Sequence, residues 1–187
     1  ETKLEEKVDV PMGVKEIQNI ESAMDFIENN VKKHPINRAF VSEIHRMVVE
    51  GLPTSPKGEG DKTPGQYRKS NLQITKSKHL PPEWVLVDEY MNELFDFINR
   101  DSGAKFDLLK TAIAHHRFVW IHPFGNGNGR TVRLFTYAML IKLGFNVKFM
   151  LETGEELSSP GLRDFCEQHK TRLKADVLIA SDGPRLS

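Results

Sequence analysis

Cysteine is almost missing from this chain: Cys166 is the only one, so no disulfide can form within it. An excess of either charge is missing too. Lys+Arg and Asp+Glu each number 26, so no overall field draws in nucleic acid or an anionic membrane, and neither is an expected partner. No apolar run is long enough to span a bilayer, and no signal-peptide pattern opens the chain. Repeats and low-complexity tracts are absent as well. Together these absences exclude a disulfide scaffold, a membrane span and a basic nucleic-acid binder. They are compatible with a reducing cytosol, and a cytoplasmic location is expected. Cys166 lies in an amphipathic segment with no His at helical spacing before it, which marks it as core packing rather than a nucleophile.

What remains is a chain of 187 residues, suited to one domain with a real core. Glu1 to Asp9 is charged, and Val10-Pro11-Met12-Gly13 interrupts any helix, so residues 1–13 read as an N-terminal arm. Ile17, Ile20, Met24, Ile27 and Val31 make one helical stripe from Val14 to Asn30. Phe40, Val41, Ile44, Met47 and Val48 make a second from Asn37 to about Glu50, closed by Gly51. Residues 52–65 are Pro- and Gly-rich and form a loop. The alternation over 66–75, a turn at 76–78 and the stop at Pro81-Pro82 predict an isolated β-hairpin. Further helices are predicted from Pro82 to Arg100, with Val87, Met91, Leu94 and Phe95 inward, and from Lys105 to Trp120, with Leu108, Leu109, Ile113 and Phe118 inward. Adjacent His115 and His116 point to different faces and cannot be a metal pair; His115 is expected buried and supporting the next loop, His116 exposed. A last helix is expected through Leu162, Phe165, Cys166 and Leu173, before a C-terminal tail at 176–187. The fold class is all-α with one small hairpin.

The chemistry concentrates in Ile121-His122-Pro123-Phe124-Gly125-Asn126-Gly127-Asn128-Gly129-Arg130-Thr131-Val132-Arg133. Leu134 to Leu143 is apolar at helical spacing, so a helix starts inside the glycine run. A helix N-terminus offers free N–H groups and the positive end of its dipole, which suits an anion, and glycines let the backbone curl around it. Arg130 and Arg133, three apart, share a face and could both grip phosphate oxygens. His122 could act as a general base beside that phosphate. No Lys-Ser/Thr follows the glycines, so a P-loop is excluded.

The segment resembles the signature of the Fic (Fic/Doc) family, His-Pro-Phe-x-Asp/Glu-Gly-Asn-Gly-Arg-x-x-Arg, at every defined position but one. Gly65-Gln66-Tyr67-Arg68 with Leu72-Gln73-Ile74 and Pro81-Pro82 looks like the family's flap, and the run from Ala112 to Phe124 looks like its lead-in helix. The resemblance implies a Fic-type helical domain over 14–175, with the flap at about 66–82 and the motif at 122–133. It implies a protein adenylyltransferase moving AMP from ATP to a Ser, Thr or Tyr hydroxyl of a target protein. His122 would be the base. Gly127, Asn128 and Gly129 would bind the α- and β-phosphates, Arg130 the β-phosphate and Arg133 the γ-phosphate. Leu72, Gln73, Ile74 and Thr75 would lie over nucleotide and target, the flap adding the target as a strand.

The departure is Asn126, where the family carries an acidic ligand for Mg²⁺. Its amide oxygen can ligate a metal but brings no charge, so weakened Mg²⁺ binding is expected. The family's inhibitory string, Ser/Thr-x-x-x-Glu-Gly/Asn, is also not found: Arg46 precedes Glu50-Gly51 and Met24 precedes Glu28-Asn29. An inhibitory helix would have to come from an absent segment or a partner. Two alternatives stay open: transfer of another phosphate-containing group, and a weakly active nucleotide-binding regulatory module.

Overall fold

Asn37 starts the helix against which most of the others pack. Its side chain accepts the Phe40 N–H at 3.0 Å, capping α2 (Arg38–Val49), and Gly51 at φ 68° takes the chain out beyond it. The computed structural model describes residues 12–54, 57–74, 77–145 and 147. Besides α2 these carry α1 (Met12–Asn30), α3 (Val87–Asn99), α4 (Asp107–Ile121) and α5 (Asn128–Lys142). Short 3-10 turns, Trp84–Leu86 and Ala104–Phe106, lead into α3 and α4.

Helix α2 lies against α1, α3 and α5, while α4 lies between α3 and α5. The core where they meet holds Ile27, Ile36, Ile44, Met91, Leu94, Phe118, Phe124 and Phe135. Polar ties fix the helix ends. Asn19 Nδ2 donates to Glu50 O at 2.8 Å, joining α1 to the end of α2. Lys142 Nζ donates to Val31 O and His34 O, joining the end of α5 to the end of α1. The last carbonyls of α5 are taken by the Gly144 and Phe145 N–H groups as Gly144 turns to φ 89°.

The helical class and the inward faces of α2 and α3 follow the sequence. Four readings need correction. Met12 and Gly13 belong to α1 rather than to an arm, because a proline just ahead of a helix removes only an N–H that would be unpaired anyway. Ile17 is exposed; the buried stripe of α1 runs through Ala23, Ile27 and Val31. In α4, Leu108, Leu109 and Ile113 face outward, and the buried side is Lys110, Thr111, Ala114, Phe118 and Ile121. That helix is apolar on more than one side, so periodicity could not choose. The smaller Ala114 and Thr111 face its neighbours, while Lys110 reaches out of the interior to Arg100 O at 2.6 Å.

The hairpin is the fourth. Among the described residues, 66–74 and 77–82 pair in no ladder, and the one bridge is the isolated Thr54–Gly60. The period is present: Leu72 and Ile74 are half-buried while Asn71 and Gln73 are exposed. The root of the segment is instead bound to the loop after α4, with Tyr67 buried against Phe124 and the Arg68 N–H donating to Pro123 O at 2.8 Å. The arm at 1–11, Thr75, Cys166, the helix expected through Leu162 to Leu173 and the tail all lie outside the described residues.

Candidate functional site

His122 is the residue after α4, and its backbone is left-handed, at φ 52° and ψ 62°. It is the one non-glycine residue at positive φ among the described residues. Such a conformation costs about 1–2 kcal/mol and persists only where the surroundings over-determine it. The His122 N–H donates to Phe118 O at 3.0 Å, so the residue ends the helix as a C-cap normally would. Its imidazole is half-buried, and Nδ1, fully enclosed, has no hydrogen-bond partner among the described residues. Burial lowers its pKa. The nearby Val119 carbonyl pulls the other way, short of hydrogen-bond geometry, and the charges of Arg68 and His79 add to the lowering. A neutral imidazole at pH 7 follows, which is the form that can take a proton.

Five residues further on, the chain curls into α5. Gly127 stands at its N-cap with φ 71° and no side-chain cap, and the first bond closing the helix is Thr131 N–H to Gly127 O at 3.0 Å. The N–H groups of Asn128, Gly129 and Arg130 therefore have no carbonyl of their own helix to reach. Gly125 and Gly129 are exposed, so this N-terminus is open to an anion. A methyl at Gly127 would stand 2.8 Å from Val49 Cγ1, which is why the turn takes no side chain.

The shape of the loop is held by side chains that sequence reasoning had directed at phosphate or had passed over. Asn128 is buried and clamps Phe124 from both sides, its Oδ1 accepting the Phe124 N–H at 2.9 Å and its Nδ2 donating to Phe124 O at 2.8 Å. Only its backbone N–H is left for a ligand. Asn126 also works inward: Nδ2 donates to Gly60 O at 3.1 Å and Oδ1 accepts the Gly127 N–H at 2.8 Å. Its own N–H donates to Asp61 Oδ2 at 2.8 Å. His45, fully buried on α2, completes the frame. Its Nδ1 accepts the Gly65 N–H at 2.8 Å, so Nε2 carries the proton and donates to Asn126 O at 3.0 Å. Its ring lies flat on Phe124 at 3.7 Å. Burial, ahead of all else, holds its pKa down.

The two arginines separate. Arg130 donates to Val48 O at 3.0 Å and to Glu59 O, with the Glu59 carboxylate 3.6 Å away. Arg133 remains exposed and binds no described side chain, although partial burial and the like charge of Arg130 both lower its pKa. His115 is half-buried and bonds Thr136 Oγ1 at 2.8 Å, bracing α4 against α5 rather than supporting the loop; His116 is exposed as expected. The roles of His45, Asp61 and Arg68 were missed. His45 is an isolated His in an apolar stripe, and nothing local to Asp61 in its polar loop points to residue 126.

Among the described residues no three His, Cys, Asp or Glu side chains gather as a metal site. Asn126 Oδ1, already one bond committed, is the neutral oxygen that the loop could offer, and the Asp61 carboxylate is almost wholly enclosed. This donor set does not fit a Mg²⁺ ion held by the protein itself, since that ion favours carboxylates and phosphates in octahedral order. No helix of the described residues is long and apolar enough to cross a membrane.

A sequence profile of the Fic/DOC family matches residues 35–140. The chain is 30% identical over 135 residues to the protein adenylyltransferase fic-1 of Caenorhabditis briggsae, covering 70% of this chain and 25% of that one. It is 30% identical over 136 residues to the protein adenylyltransferase Fic of Nematostella vectensis, at 70% and 29% coverage. Among solved structures, Fic-1 from Caenorhabditis elegans aligns with a TM-score of 0.58 at 25% identity, covering 74% of this chain and 39% of that chain. A Fic family protein from Desulfovibrio desulfuricans G20 shares the fold with a TM-score of 0.58 at 24% identity, at 71% and 38% coverage. The chain thus spans under a third of the length of these two curated relatives.

Proposed function

The chain belongs to the Fic/DOC family, and from that premise we propose that it is a protein adenylyltransferase, with His122 as general base and ATP as donor. The observation that carries this reading is the juxtaposition of His122, half-buried and left-handed in its backbone, with an uncapped glycine-rich helix start. His122 takes the proton from a target Ser, Thr or Tyr hydroxyl. The freed oxygen attacks the α-phosphorus, a new O–P bond forms, and the bond to the bridging oxygen breaks as pyrophosphate leaves. The first-turn N–H groups of Asn128, Gly129 and Arg130 are fixed before charge develops on the phosphoryl oxygens, so little reorganisation is needed. Arg133, which binds no described side chain, is the cation for the distal phosphates, and Arg130 joins it only by leaving Glu59. Any Mg²⁺ would have to be held by the triphosphate itself, whose charge it would offset, since Asn126 Oδ1 is the one weak ligand the loop could add. Leu72, Gln73 and Ile74, paired in no ladder among the described residues, offer backbone groups to the target.

Relatives named as adenylyltransferases support this reading. The test is incubation with ATP labelled at the α- or the γ-phosphate, with Mg²⁺ and a cell lysate. Label from the α-phosphate in protein is expected for the native chain and is expected to vanish in His122→Ala, with ATP affinity nearly intact. Label from the γ-phosphate alone would mean phosphorylation instead. A second reading, a nucleotide-binding module of low activity, is favoured by the neutral Asn126 and by the hold of Glu59 on Arg130.

A further inference from the structure

Something must hold His122 in its left-handed backbone, and the side chain in contact with its peptide is Arg68. Arg68 is 5% exposed, and among the described residues no carboxylate pairs with its guanidinium. Carbonyl oxygens meet its charge instead. Nε donates to His122 O at 2.9 Å, Nη1 to Ser70 O at 3.1 Å, and Nη2 to Pro82 O at 2.6 Å and Ile121 O at 3.4 Å. The Arg68 N–H takes Pro123 O at 2.8 Å, so the carbonyls on both sides of the His122–Pro123 bond are held by one residue. Ile121 and His122 lie at the negative end of the α4 dipole, which suits a cation. Ser70 and Pro82 lie on either side of 72–74, the stretch proposed to meet the target.

We propose that Arg68 is the positioning residue of this site, fixing the His122 peptide and the two ends of the 70–82 segment with a single fork. The geometry needs Arg. Four divergent carbonyl acceptors match a planar guanidinium with donors on three nitrogens, whereas an ammonium on one flexible stem reaches them together poorly. Among the described residues, the charged or titratable groups that act on His122 are Arg68 and His79, and both oppose a protonated ring.

This inference rests on His122 being the base, so its first readout needs no turnover. The His122 ring is titrated by ¹H–¹³C NMR, its signal assigned by its loss in His122→Ala. Arg68→Gln removes the charge and is expected to raise the His122 midpoint. Arg68→Lys keeps the charge and is expected to leave that midpoint close to native. Lacking the fork, it is expected to lower kcat about ten- to a hundredfold, with KM for ATP changed less than about twofold. Thermal unfolding of each variant checks that the fold is intact. An unmoved midpoint in folded Arg68→Gln, or native kcat in folded Arg68→Lys, would overturn the proposal. Failure of both variants to fold would do so too, by making Arg68 a strut alone. If the native chain transfers no AMP, the titration still decides on Arg68, and that failure belongs to the adenylylation reading.

Discussion

Asn128→Ala is the sharpest test of how the anion loop is built. The native amide closes a two-bond ring on Phe124, at 2.9 and 2.8 Å, in a place where Asn128 is 4% exposed and Phe124 fully buried. Alanine leaves the Phe124 N–H and C=O without partners and out of reach of bulk water. Each orphaned group costs about 1–3 kcal/mol, so the loss should be about 2–6 kcal/mol. For a domain of this size that corresponds to a fall of roughly 5–15 °C in Tm. Asn128→Asp separates geometry from hydrogen bonding. Its carboxylate keeps the acceptor for the Phe124 N–H but turns a bare oxygen towards Phe124 O. It should be less stable than the alanine variant at pH 7. The repulsion raises the folded-state pKa of this carboxyl, so its deficit should shrink as pH falls, once a protonated carboxyl can donate to Phe124 O. Unfolding followed by circular dichroism, each variant against native at every pH, checks both statements. An Asn128→Asp protein as stable as native at pH 7 would refute the clamp, and with it the claim that this side chain faces inward rather than towards phosphate.

Gly127→Ala must adopt φ 71° and place its methyl 2.8 Å from Val49 Cγ1, so urea unfolding should show a loss of about 2–5 kcal/mol, from left-handed strain and overpacking together. The pKa values of His45, His115 and His122 are all lowered, with burial the first cause, so the unfolded chain binds more protons than the folded one at mildly acid pH. Stability should therefore fall as pH drops below the ordinary His value of about 6.5, and His45→Gln should flatten that slope in thermal melts between pH 5 and 7. At residue 126, Asp should lower the Mg²⁺ requirement for transfer yet destabilise the metal-free protein by facing Gly60 O, whereas Ala should weaken nucleotide binding even without metal; a Mg²⁺ titration and a melt of each form would separate the two effects.

The parts of this molecule legible in the sequence are those where local pattern and burial agree. Phe40, Val41, Ile44 and Val48 lie on one face because α2 has one inward face, and Asn37 announces its start. The glycine run followed by an apolar helix could be read as an anion loop because both halves of that signal are contiguous. Legibility failed where partners are distant in sequence. Asn126 to Gly60 spans 66 residues, Arg130 to Val48 82, and Arg68 to His122 54. No periodicity encodes such contacts. The alternation holds only over 71–74, a strand needs a second strand to pair with, and the root of this segment is bound sideways to the loop after α4.

Asn126 joins these observations. An acid there would point at Gly60 O, where the native amide donates, and would add negative charge to a loop whose N–H is already met by Asp61. The Asp61 carboxylate in turn is fixed by the Thr63 N–H at 2.9 Å and lies 3.6 Å from His45 Nε2. With one carboxylate built into the frame from outside the motif, a neutral residue at 126 is the choice that satisfies every donor and acceptor of the peptide. The substitution therefore trades a metal ligand for a loop fixed in advance. On the proposed reading, rigidity of the loop would replace charge at residue 126 as the means of meeting a triphosphate, and a metal would have to come with it.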